Sequence, residues 1–172
     1  MSESHSGSTT GKTAAKSATK SHVNATPEGR HSVTPFLTVD GAAKFIEFAK
    51  KAFNAKESTI MPGDKPGTIG HAELKIGDSH IMLMDPLEGG SKASPASLYI
   101  YVDDVDATYK RALQAGATQI KDGVSDQFYG DRMGCVRDFA GNNWWIATHI
   151  EDVPPEEMKK RHSAMMQKMQ KH

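Results

Sequence analysis

The sequence predicts an α+β fold of two tandem βαβββ modules, with one further helix at the C-terminus. Three observations support this prediction. The same order of strand, helix, short strand and hairpin occurs twice along the chain. Each copy opens with an alternating run rich in β-branched residues, at residues 33–39 and 97–102, which is typical of strands. Both runs end in Val-Asp, at Val39-Asp40 and Val102-Asp103. The repeated order of elements indicates a duplication even though the sequence identity between the two copies is low.

The first module is predicted over residues 33–85. Its helix is indicated by apolar side chains at helical spacing, namely Ala42, Phe45, Ile46, Ala49 and Phe53. Asp40 is the expected N-cap of that helix, because a short acidic side chain can accept hydrogen bonds from the first unpaired amides. A short strand at residues 58–61 follows, and then a hairpin over residues 70–84 that turns at Gly77-Asp78.

The second module is predicted over residues 97–150. The buried face of its helix carries Val105, Tyr109, Ala112 and Leu113. Gly116 ends this helix, as glycine commonly does, and a short strand at residues 118–121 follows it. The hairpin over residues 132–148 turns near Gly141-Asn142. Aligning the turn glycines of the two hairpins predicts that the offset between modules grows from 63 residues to 64 at this point.

The composition of the 172 residues indicates one domain with tails. Lys+Arg and Asp+Glu are equal at 21 each, so no overall charge favours nucleic acid or an anionic membrane as a partner. No run of about 18 apolar residues predicts a membrane span, and residues 1–30 lack the apolar core of a signal peptide. Cys135 is the only cysteine, which excludes an internal disulfide and makes a reducing cytoplasm the expected compartment.

Both ends of the chain differ from the predicted domain of residues 32–151. Residues 1–31 contain no aromatic side chain and many Ser, Thr, Gly and Lys residues, which predicts a disordered tail. Residues 152–172 begin with prolines and carboxylates, as helices often do. One face of this helix carries a stripe made of Met158, His162, Met165 and Met169. The stripe either docks on the chain's own domain or on a second subunit, or binds a hydrophobic partner.

Four runs of sequence identify a family resemblance. They are HAELKIGDSHIMLMD (71–85), YVDDVDATYKRALQAGAT (101–118), DQFYGDRMGCVRDFAGNNWWIATH (126–149) and EDVPPEEMKKR (151–161). Together with the duplicated βαβββ order, they resemble the vicinal-oxygen-chelate superfamily of glyoxalases, bleomycin-resistance proteins and extradiol dioxygenases, and within it the PhnB-like subgroup. The resemblance implies a glyoxalase-like curved-sheet cavity that binds a small molecule, and a homodimer.

The same resemblance implies where a metal would be bound. Metal-dependent members place one ligand at the start of each module and one on each module's last strand, typically His and Glu. On this chain the opening positions are Thr34 and Ser97, and the last-strand positions are Ile81 and Trp145. None of these side chains is a good ligand for a divalent cation. We therefore expect no cofactor and no metal residue, and a divalent metal bound by other residues is the alternative.

Polar residues alternate with apolar ones along the first strand of the first hairpin, which directs His71 and Glu73 toward the cavity. With the offset of 64 residues, Glu73 corresponds to Arg137, so the two charges are predicted to lie near each other. Either they form an ion pair with a structural role, or Arg137 binds an anionic group while His71 or Glu73 acts as general acid or base. A zinc site of His71, Glu73 and His80 is disfavoured, because His80 is predicted on the opposite face.

Aromatic side chains supply the rest of the predicted ligand-binding wall. Phe36 and Tyr99 occupy equivalent positions in the two modules, and Trp145 stands at a metal-ligand position. Trp145 either fills the cavity or stacks on a planar ligand, whereas its neighbour Trp144 is predicted to belong to the core.

Gln127 and Tyr129 are further ligand-binding candidates, from a loop that is either a lid over the cavity or an ordered surface loop. Cys135 is a candidate nucleophile by residue type alone.

These observations predict a cytoplasmic homodimer that binds a small planar or anionic molecule without the usual metal. The alternative is a divalent-metal-dependent lyase, isomerase or dioxygenase-type enzyme that uses His71 and Glu73. A third hypothesis is an interaction protein that acts through its dimer surface and its Met-rich C-terminal helix. The sequence leaves open whether any reaction is catalysed, because a fold does not define a function.

Overall fold

The computed structural model describes residues 23–120 and 122–170. In chain order the elements are β1 (Phe36–Thr38), α1 (Ala42–Phe53), β2 (Lys56–Pro62), β3 (Ile69–Ile76), β4 (Ser79–Met84), β5 (Ser97–Tyr101), α2 (Val105–Gln114), β6 (Thr118–Gln119), β7 (Ser125–Asp126), β8 (Asp131–Arg137), β9 (Asn143–His149) and α3 (Pro155–Met169). The α+β order of two βαβββ modules and a C-terminal helix is therefore confirmed. The short strand β7 is additional, and residues 1–22 of the predicted tail lie outside the described residues.

Each module forms its own sheet. Sheet one has the strand order β1-β4-β3-β2, and sheet two has the order β5-β9-β8-β6, with β7 also paired to β8. In both sheets the first strand of the module pairs in parallel with the last, while the hairpin strands pair antiparallel. The two sheets are thus equivalent halves of a duplicated fold.

One hydrophobic core joins the two modules. Helices α1 and α2 pack against each other and against one face of each sheet. At the junction the fully buried Trp144 of β9 contacts α1, with ring centroids 5.9 Å from Phe45 and 4.4 Å from Phe53. The predicted core position of Trp144 is confirmed. The opposite faces of the sheets, called here the open faces, point away from this core.

Aligning the turn glycines predicted an offset of 64 residues between equivalent positions of the two hairpins. The strand registers show that this value is wrong. Phe36 pairs with Met82 as Tyr99 pairs with Trp145, so the offset stays at 63 in the last strands. The first hairpin turns through two residues, between Ile76 and Ser79, whereas the second turns through three, between Asp138 and Asn142, where the Asp138 amide donates to the Asn142 carbonyl at 3.0 Å. Because the second turn is longer, its glycine is not equivalent to Gly77.

The start of each helix is held by a side chain from the end of its module's last strand. Buried Asp85 accepts hydrogen bonds from the amides of Gly41 and Ala42, at 3.0 and 2.9 Å. Thr148 accepts one from the amide of Val105 at 2.9 Å. The prediction of Asp40 as N-cap is therefore wrong, since α1 has no side-chain cap from its own segment.

Helix α3 lies on module two with no buried residue of its own. The His162 ring lies 5.4 Å from the ring of Phe128. Arg161 donates two hydrogen bonds to the Glu151 carboxylate, at 2.7 and 2.8 Å. Among the predicted stripe, Met158 and Met165 are half-buried and Met169 is exposed, so much of this helix faces solvent.

Candidate functional site

The open face of sheet two carries a hydrogen-bonded cluster centred on Asp131, whose side chain is almost fully buried at the start of β8. The Tyr99 and Tyr101 hydroxyls donate to one carboxylate oxygen, at 2.8 and 3.1 Å. The other oxygen lies 2.8 Å from Nδ1 of His149, whose Nε2 lies 3.0 Å from Asp152. One buried carboxylate thus fixes two phenol rings and an imidazole, and the Tyr99 and Tyr101 centroids lie 5.2 Å apart.

The cluster shifts the proton affinity of its members. Burial raises the pKa of Asp131, but hydrogen bonds from His149 and the two tyrosines outweigh this, so the pKa lies below its ordinary value. Burial, and then the hydrogen bond to Asp131, raises the pKa of the Tyr99 phenol far above its ordinary range. Hydrogen bonds to Asp131 and Asp152 raise the pKa of His149. These shifts favour the neutral form of the phenols, the ionised form of the carboxylate and the charged form of the imidazole.

We expect the variant His149→Gln to be less stable than the wild type in mildly acidic solution and nearly as stable in alkaline solution. A group whose pKa is raised on folding stabilises the fold fully below its unfolded pKa, and this contribution is lost as the pH rises through the folded pKa. For His149 that window begins near the ordinary value of 6.5 and extends upward. Thermal melts of both proteins at about pH 5.5 and about pH 9 measure the difference. Asp152→Asn, which removes one of the two partners, should give a smaller loss, and an equal loss at both pH values would contradict the assignment.

Trp145 and Cys135 share this open face with the cluster. Trp145 is partly exposed and lies opposite Tyr99 in β5 and opposite Cys135 in β8. Cys135 is only 2% exposed, which disfavours a nucleophilic role because buried thiols are usually unreactive. The aromatic surface of the open face is therefore Tyr99, Tyr101 and Trp145 across two neighbouring strands.

The remaining predicted ligand-binding residues of module two flank this surface. Tyr129 is half-buried, and its phenol contributes to the raised pKa of Tyr99. Arg137 is exposed at the far end of β8, where its Nε donates to Asn143 Oδ1 at 3.0 Å. The Gln127 amide donates to the Ser125 carbonyl and hydroxyl, at 3.1 and 3.0 Å. Tyr129 therefore belongs to the cluster, whereas the Gln127 side chain is bound within its own loop.

The open face of sheet one carries Phe36, His71 and Glu73. The Phe36 ring is exposed and its centroid lies 6.1 Å from that of His71. The Nε2 atom of His71 lies 3.5 Å from the Glu73 carboxylate. Glu73 forms an ion pair with Arg30 of the N-terminal segment.

Among the described residues, Glu73 and Arg137 form no ion pair, since Glu73 pairs with Arg30 and Arg137 donates to Asn143. Glu73 lies beside Met82 in its sheet, and Cys135 lies beside Trp145 in the other sheet. Cys135 is therefore the counterpart of Glu73, and Lys75 is that of Arg137. The error follows from the turn alignment, which displaced β8 by two residues relative to β3.

The residues at the family's metal positions do not fit a divalent cation. The corrected register replaces Ile81, which is buried in the core, with Met82, and a thioether is a poor ligand for such ions. The prediction that His80 lies on the opposite face is also wrong, since it pairs with Lys75 and so shares the open face of His71 and Glu73. Even so, no three His, Cys, Asp or Glu side chains in the described segments are placed to hold a metal ion.

Sequence reasoning does not find Asp131, Tyr101 or His149. The predicted strand begins one residue after Asp131, which leaves this carboxylate in a loop. The signal that could have revealed the cluster is the hairpin register, because pairing Arg137 with Asn143 also brings Asp131 opposite His149. Tyr101 lies two residues from Tyr99 and therefore shares its face.

The duplicated βαβββ order, the helix-covered sheets and the two open faces define the class to which this protein belongs. The family model for the Glyoxalase/Bleomycin resistance protein/Dioxygenase superfamily matches residues 22–146, and the chain belongs to this superfamily.

One relative and two solved structures are similar to this chain. The uncharacterised protein Rv0887c of Mycobacterium tuberculosis is 38% identical over 138 residues, covering 74% of this chain and 80% of that protein. A Bacillus cereus PhnB protein, a putative 3-demethylubiquinone-9 3-methyltransferase, superposes with a TM-score of 0.54 at 17% identity, covering 69% of this chain and 99% of its own. The Listeria monocytogenes fosfomycin resistance protein FosX gives 0.51 at 18% identity, covering 74% and 97%. At these identities the two structures show similarity of fold alone.

Among the described residues, no helix combines the length and the apolar character that crossing a membrane requires.

Proposed function

We propose that the protein binds a small planar or anionic molecule on the open faces of its sheets, without the metal that metal-dependent family members use. The observation that carries this proposal is the aromatic surface of Tyr99, Tyr101 and Trp145, in which the buried carboxylate of Asp131 holds the two tyrosine hydroxyls. A ligand site typically combines flat apolar walls with a few polar groups in fixed positions, and this surface supplies both.

The tyrosine rings are suited to bind a planar molecule because they are exposed and yet held in place. Tyr99 is 43% exposed and Tyr101 is 65% exposed, while both hydroxyls are bound to Asp131. A ring already fixed loses little conformational entropy when a ligand stacks on it, which increases affinity. Arg137 adds a positive charge on the same open face for an anionic group.

The proposal takes the protein to be a cytoplasmic homodimer whose second copy encloses the cavity. Within one chain the open faces point away from the core and expose aromatic side chains, with Phe36 56% exposed. An exposed aromatic surface is costly in water unless a ligand or another subunit covers it. Light scattering should then give twice the chain mass of 18.7 kDa, and a monomer at all concentrations would contradict this part.

The site is tested with two fluorescent probes, the planar anion 8-anilinonaphthalene-1-sulfonate and the uncharged N-phenyl-1-naphthylamine. We expect Trp145→Ala to lower the affinity for both probes by roughly fivefold to tenfold, because one aromatic contact is lost. Arg137→Gln should lower the affinity for the anionic probe only. The matched control is Phe139→Ala, because Phe139 is 37% exposed on the loop between β8 and β9, outside the cluster. Binding that Trp145→Ala leaves unchanged would rule out this surface as the site.

A separate measurement addresses the metal. We expect protein purified without chelators to contain almost no metal, and divalent ions to leave its melting temperature unchanged, since specific binding to the native state would raise it. About one stabilising ion per chain would instead favour the alternative of a metal-dependent lyase, isomerase or dioxygenase-type enzyme that uses His71 and Glu73.

A further inference from the structure

Residues 29–31, here called the N-terminal strap, lie across the open face of sheet one. Gly29 adopts a left-handed backbone conformation (φ +72°), and a Cβ atom there would lie 3.6 Å from the His80 ring. The next residue, Arg30, pairs with Glu73, 43 positions further along the chain. The strap therefore brings a guanidinium group from outside the duplicated fold onto a carboxylate of β3.

The environment of Glu73 is suited to an organic cation. Only 13% of its side chain is exposed, and 20% of that of Arg30. A carboxylate removed from water to this degree is costly unless a cation pairs with it. A guanidinium group has the planar fork of donors that matches a carboxylate. One Glu73 oxygen accepts a hydrogen bond from Arg30, and the other lies 3.5 Å from Nε2 of His71. The His71 ring lies next to that of Phe36.

His80 supplies a second observation at the same place. It is 92% buried on the same open face, at 8% exposure, and its Nδ1 atom has no hydrogen-bond partner among the described residues. A buried polar atom without a hydrogen-bond partner destabilises the fold. His80 and His31 both line a groove of about 590 Å³ that opens beside the strap. His80, two residues from Met82, the cross-strand partner of Glu73, thus keeps one unsatisfied polar atom beside the strap.

We propose that Glu73, His71 and His80 form a subsite for the guanidinium or amidinium group of a ligand, and that Arg30 is its intramolecular occupant. A ligand bearing such a group displaces the Arg30 side chain and pairs with the Glu73 carboxylate. The Phe36 ring lies at the edge of this subsite, where it can contact the apolar part of the ligand. The carboxylate of this subsite is on module one and does not require the Asp131 cluster, although the groove beside the strap reaches Tyr99 and Tyr101 of module two.

Arg30 competes efficiently with free cations for the Glu73 carboxylate, because it belongs to the same chain. A group on a short flexible segment acts at an effective concentration of about millimolar, so a weakly binding cation cannot easily displace it. Removing the Arg30 charge should therefore expose the subsite to small cations that bind the wild-type protein poorly.

The experiment compares benzamidine, a planar amidinium ion, with its uncharged analogue benzamide in calorimetric titrations. We expect Arg30→Gln to bind benzamidine at least about tenfold more tightly than the wild type, and the double variant Arg30→Gln/Glu73→Gln to lose this gain. Benzamide should bind neither protein. The matched control is Arg132→Gln, because Arg132 pairs with Asp106 and Asp126 at 2.8 Å on the other module. The affinity of this variant for benzamidine should equal that of the wild type.

Equal benzamidine affinity of Arg30→Gln and the wild type would overturn the proposal. If Arg30→Gln does not fold, the wild type provides the test, because saturating benzamidine should shift the Arg30 Nε–H and His80 imidazole resonances together. The absence of these shifts at saturation would also overturn it. Binding of 8-anilinonaphthalene-1-sulfonate to Arg30→Gln should equal that of the wild type, so failure of this proposal is distinguishable from failure of the proposed function.

Discussion

Trp144→Ala is expected to destabilise the protein by about 3–5 kcal/mol, as truncation of a fully buried large aromatic side chain generally does. Trp144 has no exposed surface and packs against three rings of α1, those of Phe45, Phe48 and Phe53. Its Nε1 also donates to the buried Asp138 at 3.0 Å. The substitution therefore leaves a cavity between the modules and removes a hydrogen-bond donor from a buried carboxylate.

Trp145→Ala is the matched control, since it removes the same side chain one residue further along β9. Trp145 is partly exposed on the open face, so a loss of only about 1 kcal/mol is expected. Urea denaturation of both variants measures the free energies of unfolding. The melting temperature of Trp144→Ala should fall by roughly 10 °C or more. Equal losses for the two variants would mean that the two faces of β9 are wrongly assigned.

Asp85→Ala is expected to cost about 3 kcal/mol, more than an ordinary helix cap. The Asp85 carboxylate accepts from the amides of Gly41 and Ala42 at the start of α1, and from that of Ile69 in β3 at 2.7 Å. Asp85 is only 8% exposed, so water cannot readily replace the carboxylate. The substitution would leave three amides of two elements without their acceptor.

Asp40→Ala provides the control, because Asp40 immediately precedes α1 in the sequence but is exposed and provides no cap. We expect it to change the free energy of unfolding by no more than about 0.5 kcal/mol. Chemical denaturation of the two variants compares them directly. A larger loss for Asp40→Ala than for Asp85→Ala would show that the local residue caps the helix after all.

The sequence alone determined the order of the elements and which apolar side chains of the helices and strands form the core. Alternation along the strands and helical spacing in α1 and α2 depend on near neighbours, so Phe45, Trp144 and their partners are recognisable as core without coordinates. The family resemblance is determined in the same way, because it rests on local runs such as residues 126–149.

Tertiary structure decided which polar groups meet. The partner of Glu73 is Arg30 rather than Arg137, the cap of α1 is Asp85 rather than Asp40, and His80 shares the open face. These pairings depend on turn length and on contacts between residues distant in sequence. One residue misplaced in aligning a turn assigns every later side chain of that strand to the opposite face. Hydrophobic burial tolerates such differences in partner, but a buried carboxylate requires specific donors, and only the folded chain determines which donors reach it.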